Sequence, residues 1–377
     1  MRILYGVQGT GNGHLSRARA MTKALSAAGI SVDYLFSGRQ PEKYFDMEEF
    51  GNYQTRQGMT FVTERGEVHP LKTALNAAPL NFMREVRQLE LNAYDLVLTD
   101  FEPVTAWAAR LRKVRCIGLG HQYAFKYPVP RHAGNMHQHL LLKWFAPADL
   151  NLGLHWHHFD MPILPPIAPV RSTSEHKDCR LIVVYLPFES QTDIERALAP
   201  FQNFKFAIFH PDAQTNNYQV SNDRKSNVAY PHIQWHAPSV EGFHQHLALC
   251  NGIISNAGFE LTSEALQLGI KVLVKPLKAQ VEQLSNALAL RELGLGSTTR
   301  TLNPAALQNW LHYGKSHTVR YPDVAAAVTG WIKAGDFSND SIQHLSDALW
   351  QASRLPETAI NLQGEAFPPL SPSLQSF

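Results

Sequence analysis

The sequence predicts an α/β protein built from two doubly wound parallel sheets that face each other across a cleft. Short apolar runs bounded by Gly and Pro alternate with helical patterns, the order that makes a parallel sheet covered on both faces. That pattern begins at Ile3-Leu4-Tyr5-Gly6-Val7 and begins again at Leu181-Ile182-Val183-Val184-Tyr185-Leu186, after a stretch rich in Pro, Ser and Thr. The chain's 377 residues exceed one ordinary domain and fit two, and 44% hydrophobic residues suffice for two cores. The expected division is a first domain over 1–160, a linker over 161–179, a second domain over 180–335, a helix within 336–355 and a loosely ordered tail over 356–377.

Composition narrows the function. A formal charge of +2 does not indicate a nucleic-acid partner. Cys116, Cys179 and Cys250 lie far apart and form no CxxC pair, which suggests neither a disulfide framework nor a zinc site and fits a reducing cytoplasm. No apolar span reaches about 18 residues, so any membrane contact is expected to be peripheral.

The first strand feeds directly into Gly9-Thr10-Gly11-Asn12-Gly13-His14. A helix is expected from about Ser16 to Ala28, with Ala18, Met21 and Leu25 on one buried face, ended by Gly29. A glycine-rich turn between strand and helix turns backbone N–H groups toward an anion or a reacting oxygen. The spacing is not that of a dinucleotide fingerprint or a P-loop. His14, where the loop becomes the helix, is aimed at the cleft and is the candidate base.

After a strand over Ile30 to Phe36 come a polar segment (Gln40 to Gln57), an expected strand around Met59 to Val62 and a helix from about Leu71 to Leu91. Tyr94 to Asp100 is a strand that ends on an acid, in the same crevice as His14. An Asp on one imidazole nitrogen fixes the tautomer and raises the basicity of the other, which makes His14 and Asp100 a candidate catalytic pair. The alternative is that Asp100 caps the helix Pro103 to Leu111, and Glu102 is a second acidic candidate.

The strand Cys116 to Leu119 leads to Gly120-His121-Gln122 at the same sheet edge. Between Pro103 and Ala148 there is no Asp or Glu, yet seven Lys and Arg residues stand among aromatics, Trp144 included. That excess suits either an anionic or lipid-linked partner or a plain solvated face. Leu150 to Leu154 is the last strand of this half. His155, His157 and His158 lack a carboxylate or cysteine partner at metal-ligand spacing, so no metal site is expected.

In the second half, Pro187-Phe188-Glu189-Ser190-Gln191 turns into a helix around Thr192 to Leu198, where Ser190 and the helix's free N–H groups suit a phosphate and Glu189 does not. Strands follow at Phe204 to Phe209 and Ile233 to His236, then a helix over Val240 to Cys250. Asn251 to Ala289 then runs strand (Gly252 to Ile254), turn, helix, strand (Val272 to Val274), loop, helix. It places Asn256, Gly258 and Glu260 after one strand and Gln280, Glu282 and Gln283 after the next, where ligands bind in such sheets. The last part is helical at Ala305 to His312, Pro322 to Lys333 and Ser341 to Ala352.

The glycine loop ending in His14 and the later SNAGFELTSEALQLG…EQLSNA resemble inverting GT-B glycosyltransferases, two Rossmann-like domains across a cleft. The similarity is closest to the bacterial branch containing MurG and to related bacterial and archaeal proteins of undefined acceptor, and it covers roughly residues 1–290. The resemblance implies a metal-independent enzyme without cofactor that moves a sugar from a nucleotide-diphosphate sugar, UDP-linked, to a hydroxyl acceptor. Residue by residue it implies His14 as base with Asp100 orienting it, Gly11, Gly13, His121 and Gln122 on the acceptor side, and Glu264 on the donor ribose. Gly258 and its turn would serve the donor phosphates, Glu282, Gln283 and Asn286 the donor sugar, and Ser190, Asn256 and Glu260 are further donor-binding candidates. It also implies that the final helix crosses back onto the first domain. The glycine-rich turn expected after the first strand of the second domain is replaced by Pro187-Phe188-Glu189-Ser190. Glu282 stands where many relatives carry Asp. A nucleotide-sugar 2-epimerase and a non-catalytic nucleotide-sugar sensor share the architecture. Location is expected in the cytoplasm, with peripheral contact at the inner face of the membrane.

Overall fold

The computed structural model describes residues 1–59, 63–64, 67–68, 79–132, 144–168, 177–213, 230–278, 280–356 and 359. Its first half is a six-stranded sheet of β1 (Arg2–Gln8), β2 (Ser31–Ser37), β3 (Gln54–Arg56), β6 (Leu96–Asp100), β7 (Cys116–Gly120) and β8 (Leu150–Gly153), with a small ribbon of β4 (Thr63–Glu64) and β5 (Glu67–Val68) between β3 and β6 in the chain. The spatial order β3-β2-β1-β6-β7-β8 is parallel throughout and reverses direction between β1 and β6. The second half repeats this arrangement with β9 (Asp178–Tyr185), β10 (Lys205–Phe209), β11 (Ile233–His236), β12 (Cys250–Ser255), β13 (Lys271–Val274) and β14 (Ser297–Thr298), in the order β11-β10-β9-β12-β13-β14. Its switch point lies between β9 and β12, and crevices at such points are where open parallel sheets take ligands.

The strands are short apolar runs because both faces are covered. Ile3, Leu4, Tyr5 and Val7 of β1 are fully buried, as are Ile182, Val183 and Val184 of β9. Helix α1 (Asn12–Ala27) lays Leu15, Ala18, Met21 and Leu25 on the first sheet. Gly6 is needed in β1 because a Cβ there would run into the Thr105 side chain.

Several expectations shift in detail. Helix α1 starts at Asn12 rather than near Ser16, which puts Gly13 and His14 inside its first turn. Local propensity disfavours Gly and Asn there, but Asn12 is held from two sides, donating to Tyr185 Oη at 2.9 Å and accepting from Arg39 Nη2 at 2.9 Å. The edge strand is β3, inside the stretch read as polar. Met59 lies in no strand, and residues 60–62 of that expectation fall outside the described residues. Of the helix expected over Leu71 to Leu91, α2 (Pro79–Gln88) is described and residues 71–78 are not.

Along the linker, Ile163, Leu164 and Ile167 are buried and Leu164 bridges Leu154, while residues 169–176 fall outside the described residues and Asp178 already begins β9. Helices α3 (Pro103–Arg112), α4 (Gln191–Leu198), α5 (Val240–Leu249), α6 (Phe259–Gln267), α7 (Val281–Glu292) and α8 (Pro304–Tyr313) cover the sheets. The chain then returns to the first half one helix earlier than expected. Helix α9 (Val324–Ala334) packs on α1 with Lys333 Nζ donating to the Ala28 carbonyl at 3.2 Å. Helix α10 (Asn339–Gln351) follows, with Ser346 Oγ and Trp350 Nε1 donating to the Ile163 carbonyl at 2.7 and 2.6 Å. Of the tail, residues 357–358 and 360–377 lie outside the described residues.

Candidate active site

The carboxyl edges of the two sheets meet over the first turn of α1. His14 Nδ1 lies 2.6 Å from Asp100 Oδ1, and its side chain is 14% exposed whereas Asp100 is fully buried. No partner is found for His14 Nε2 among the described residues. The question whether Asp100 caps α3 is answered by Glu102. Its carboxylate accepts from the Val104 and Thr105 backbone N–H groups at 2.8 and 2.7 Å and from the Ser37 and Thr105 hydroxyls at 2.6 Å each. Phe101, between the two acids, sits in the left-handed region at φ 52°, a conformation a bulky residue holds only where its surroundings impose it. The bend sends Asp100 to the cleft and Glu102 to the helix.

Arg17, one turn along α1 from His14, was not singled out in the sequence. Its side chain is fully buried, Nε donates to Asp100 Oδ2 at 2.6 Å, Nη2 donates to Asp100 Oδ1, and Nη1 donates to Glu260 Oε1 on α6 of the other half. The only signal for it was a cation three residues after His14, on the same side of the helix. Burial opposes a charged His14, but the charge and hydrogen bond of Asp100 outweigh it. Arg17 pushes down, Glu260 pulls up, and the net displacement is upward. Burial also opposes an ionised Asp100, and the charges of Arg17 and His14 reverse that and hold its carboxyl below its ordinary value.

The remaining candidates lie at the same strand ends and helix starts, with uneven freedom. Glu264, 5% exposed, accepts from Ser16 Oγ of α1 at 2.7 Å and has His244 Nε2 at 3.2 Å. Gly258 caps α6 without a side-chain hydrogen bond, and space is open where its Cβ would be. Asn256 donates to the Lys275 carbonyl at 3.0 Å and its Oδ1 is buried without a partner. Glu282 accepts from Gln122 Nε2 at 3.1 and 3.2 Å, which ties α7 to the turn after β7. Gln283 accepts from the Leu277 N–H at 3.0 Å. Asn286 is fully engaged, with Oδ1 2.6 Å from His121 Nε2 and Nδ2 donating to the Ala257 carbonyl at 2.9 Å. His121 Nδ1 in turn lies 2.8 Å from the Leu154 carbonyl oxygen, and its ring stacks on Phe259 at 4.0 Å. His121 and Asn286 therefore join the two halves. Ser190 is turned to its own helix, accepting from the Asp193 N–H at 3.1 Å and donating to the Asp193 carboxylate at 2.6 Å, and Glu189 pairs with Lys275. Gly11 caps α1, and Gly13 faces Glu260 so closely that a Cβ would lie 2.5 Å from Oε2.

Among the described residues no group of His, Cys, Asp and Glu is arranged to hold a metal ion. His155 and His157 are buried imidazoles that accept backbone N–H bonds at 2.9 Å each. Burial, with neighbouring histidines, pushes His155 well below the ordinary value and His157 down to about 4.

Residues 1–146 and 159–313 match the family described as Glycosyl transferase family 1. The chain belongs to that family. An uncharacterized glycosyltransferase of Methanosarcina acetivorans is 30% identical over 127 residues, which is 33% of this chain and 32% of that one, so the match spans about a third of the relative. Among solved structures, LpCGTa in complex with UDP superposes with a TM-score of 0.54 at 13% identity, over 93% of this chain and 98% of the other. CalG4, the calicheamicin glycosyltransferase, gives 0.50 at 15%, over 98% and 100%. At these identities the likeness is one of fold, and the fold is GT-B, two Rossmann-like domains.

Proposed function

We propose that this glycosyltransferase moves a hexose from a nucleotide-diphosphate sugar, UDP-linked, to a hydroxyl acceptor with inversion. The observation that carries the reading is the His14–Asp100 pair at the switch point of the first sheet, facing the uncapped N-terminus of α6 in the second. With Nδ1 held by Asp100, Nε2 takes the acceptor's proton while the hydroxyl oxygen attacks the anomeric carbon, and the diphosphate departs from the opposite face. A general base of this kind contributes typically about 10²–10⁴-fold. The developing charge on the diphosphate meets the free N–H groups of the first turn of α6, without a metal ion in the step.

Glu264, already oriented by Ser16 and His244, takes the ribose hydroxyls, and Glu282 and Gln283 face the sugar. Asn286 acts through His121 and the Ala257 carbonyl and holds α7 in place. With the Ser190 hydroxyl engaged on Asp193, the phosphates belong to the Gly258 turn. An anionic or lipid-linked acceptor, met by peripheral contact at the cytoplasmic face of a membrane, is supported by Arg110 lying 5.3 Å over the exposed Trp144 ring, with Leu111 and Lys113 exposed on the same helix end. Among the described residues no helix is long and apolar enough to cross a membrane.

The test is transfer and hydrolysis across UDP, GDP and TDP sugars with wild type and His14→Ala, with UDP binding followed by calorimetry. Lost transfer with retained UDP binding is the expected result. Near-normal turnover in the variant removes His14 from the base role. Interconversion of donor sugars without acceptor identifies an epimerase, and binding without any turnover a sensor.

A further inference from the structure

A buried cation needs compensating partners, and the Arg17 guanidinium has two carboxylates. Asp100 comes from its own half, whereas Glu260 is delivered by α6 from the other half. Arg17 Nη2 also lies 3.1 Å from His14 Nδ1, so the guanidinium touches the imidazole and both acids at once. The charges facing His14 are then two negative and one positive, with Tyr5 of β1 as the other titratable group in the cluster. A proton on His14 brings the sum to zero. With the halves apart, Arg17 and Asp100 alone already cancel, and that preference for a protonated His14 is gone. Gly13 fits this account, because a Cβ there would come within 2.5 Å of Glu260 Oε2 and push the carboxylate off Arg17.

We propose that Glu260, acting through Arg17, is a positioning residue that raises the proton affinity of His14 when the two halves close. Full strength of the base is thereby tied to the closed cleft. This assigns Glu260 to the base rather than to the donor, and it rests on His14 being the base.

The test compares wild type, Glu260→Gln, which retains an oxygen for Arg17 but no charge, and Glu260→Asp. Removing one charge near His14 in a partly buried site is expected to move the acid limb of the kcat–pH profile by roughly one unit toward lower pH. Glu260→Asp should return the limb toward wild type, and UDP affinity by calorimetry should change less than about twofold in both. A histidine NMR titration of the full chain, with the His14 resonance identified by His14→Asn, reads the same displacement without any turnover. An unmoved limb with weakened UDP binding makes Glu260 a donor ligand and overturns the proposal, as does an NMR titration of His14 unchanged in Glu260→Gln. Failure of the base reading itself shows up separately, as near-normal transfer by His14→Ala.

Discussion

Replacing Asn286 with Leu should loosen the joint between the halves. The substitution keeps the branched outline but removes both polar atoms from a 1% exposed site. It strips His121 Nε2 of its 2.6 Å partner and the Ala257 carbonyl of the 2.9 Å donor. Each buried polar group left unsatisfied costs about 1–3 kcal/mol, so the expected loss is roughly 2–6 kcal/mol. Urea unfolding followed by tryptophan fluorescence measures it. Asn309→Ala on the exposed face of α8 is the control, expected to stay within about 0.5 kcal/mol. A loss below about 1 kcal/mol for Asn286→Leu would mean that water or a turned imidazole restores the partners, and the assignment of this pair as the joint would fall.

Two further changes probe stability elsewhere. Glu102→Ala removes the cap of α3 and leaves the Ser37 and Thr105 hydroxyls without their carboxylate, a loss of roughly 2–5 kcal/mol from the cap and the orphaned groups together. Thermal unfolding reads it, and a loss under about 1 kcal/mol would refute it. His157 binds a proton near 6.5 when unfolded and near 4 when folded, so its contribution to stability should fall as pH drops from 6.5 to about 4 and level off below. The interval at about 1.4 kcal/mol per unit gives roughly 3 kcal/mol. His14 has the opposite sign, its contribution present below pH 6.5 and lost as pH rises through its folded value. Acid-side melting curves of His157→Gln, expected flatter than wild type, separate the two.

What could be read from the chain was what depends on near neighbours. A fully covered parallel strand is a local apolar run, so β1, β6, β12 and β13 were visible to within two residues and β9 to within three, and Asp100 at a strand end was visible with them. Edge strand β3 was missed because Gln54-Thr55-Arg56 is polar where only one neighbour, β2, constrains it. The start of α1 was misplaced because Asn12 and Gly13 are fixed by Tyr185, Arg39 and Glu260, which lie far away in sequence. The same reason hides Arg17: its partners are 83 and 243 residues away. His121 and Asn286 were found as motif residues, but nothing local told that they would bond each other.

The return of α9 and α10 to the first half sets an order of assembly. A chain emerging from the ribosome finishes the strands of its first sheet at Gly153, yet the α1 surface beneath α9 and the Ile163 carbonyl stay uncovered until α9 and α10 are made. The second sheet, by contrast, has every strand in hand by Thr298. The first half is therefore closed only after the second sheet is complete, and a nascent chain halted before Val324 carries a finished sheet beside an unsealed one.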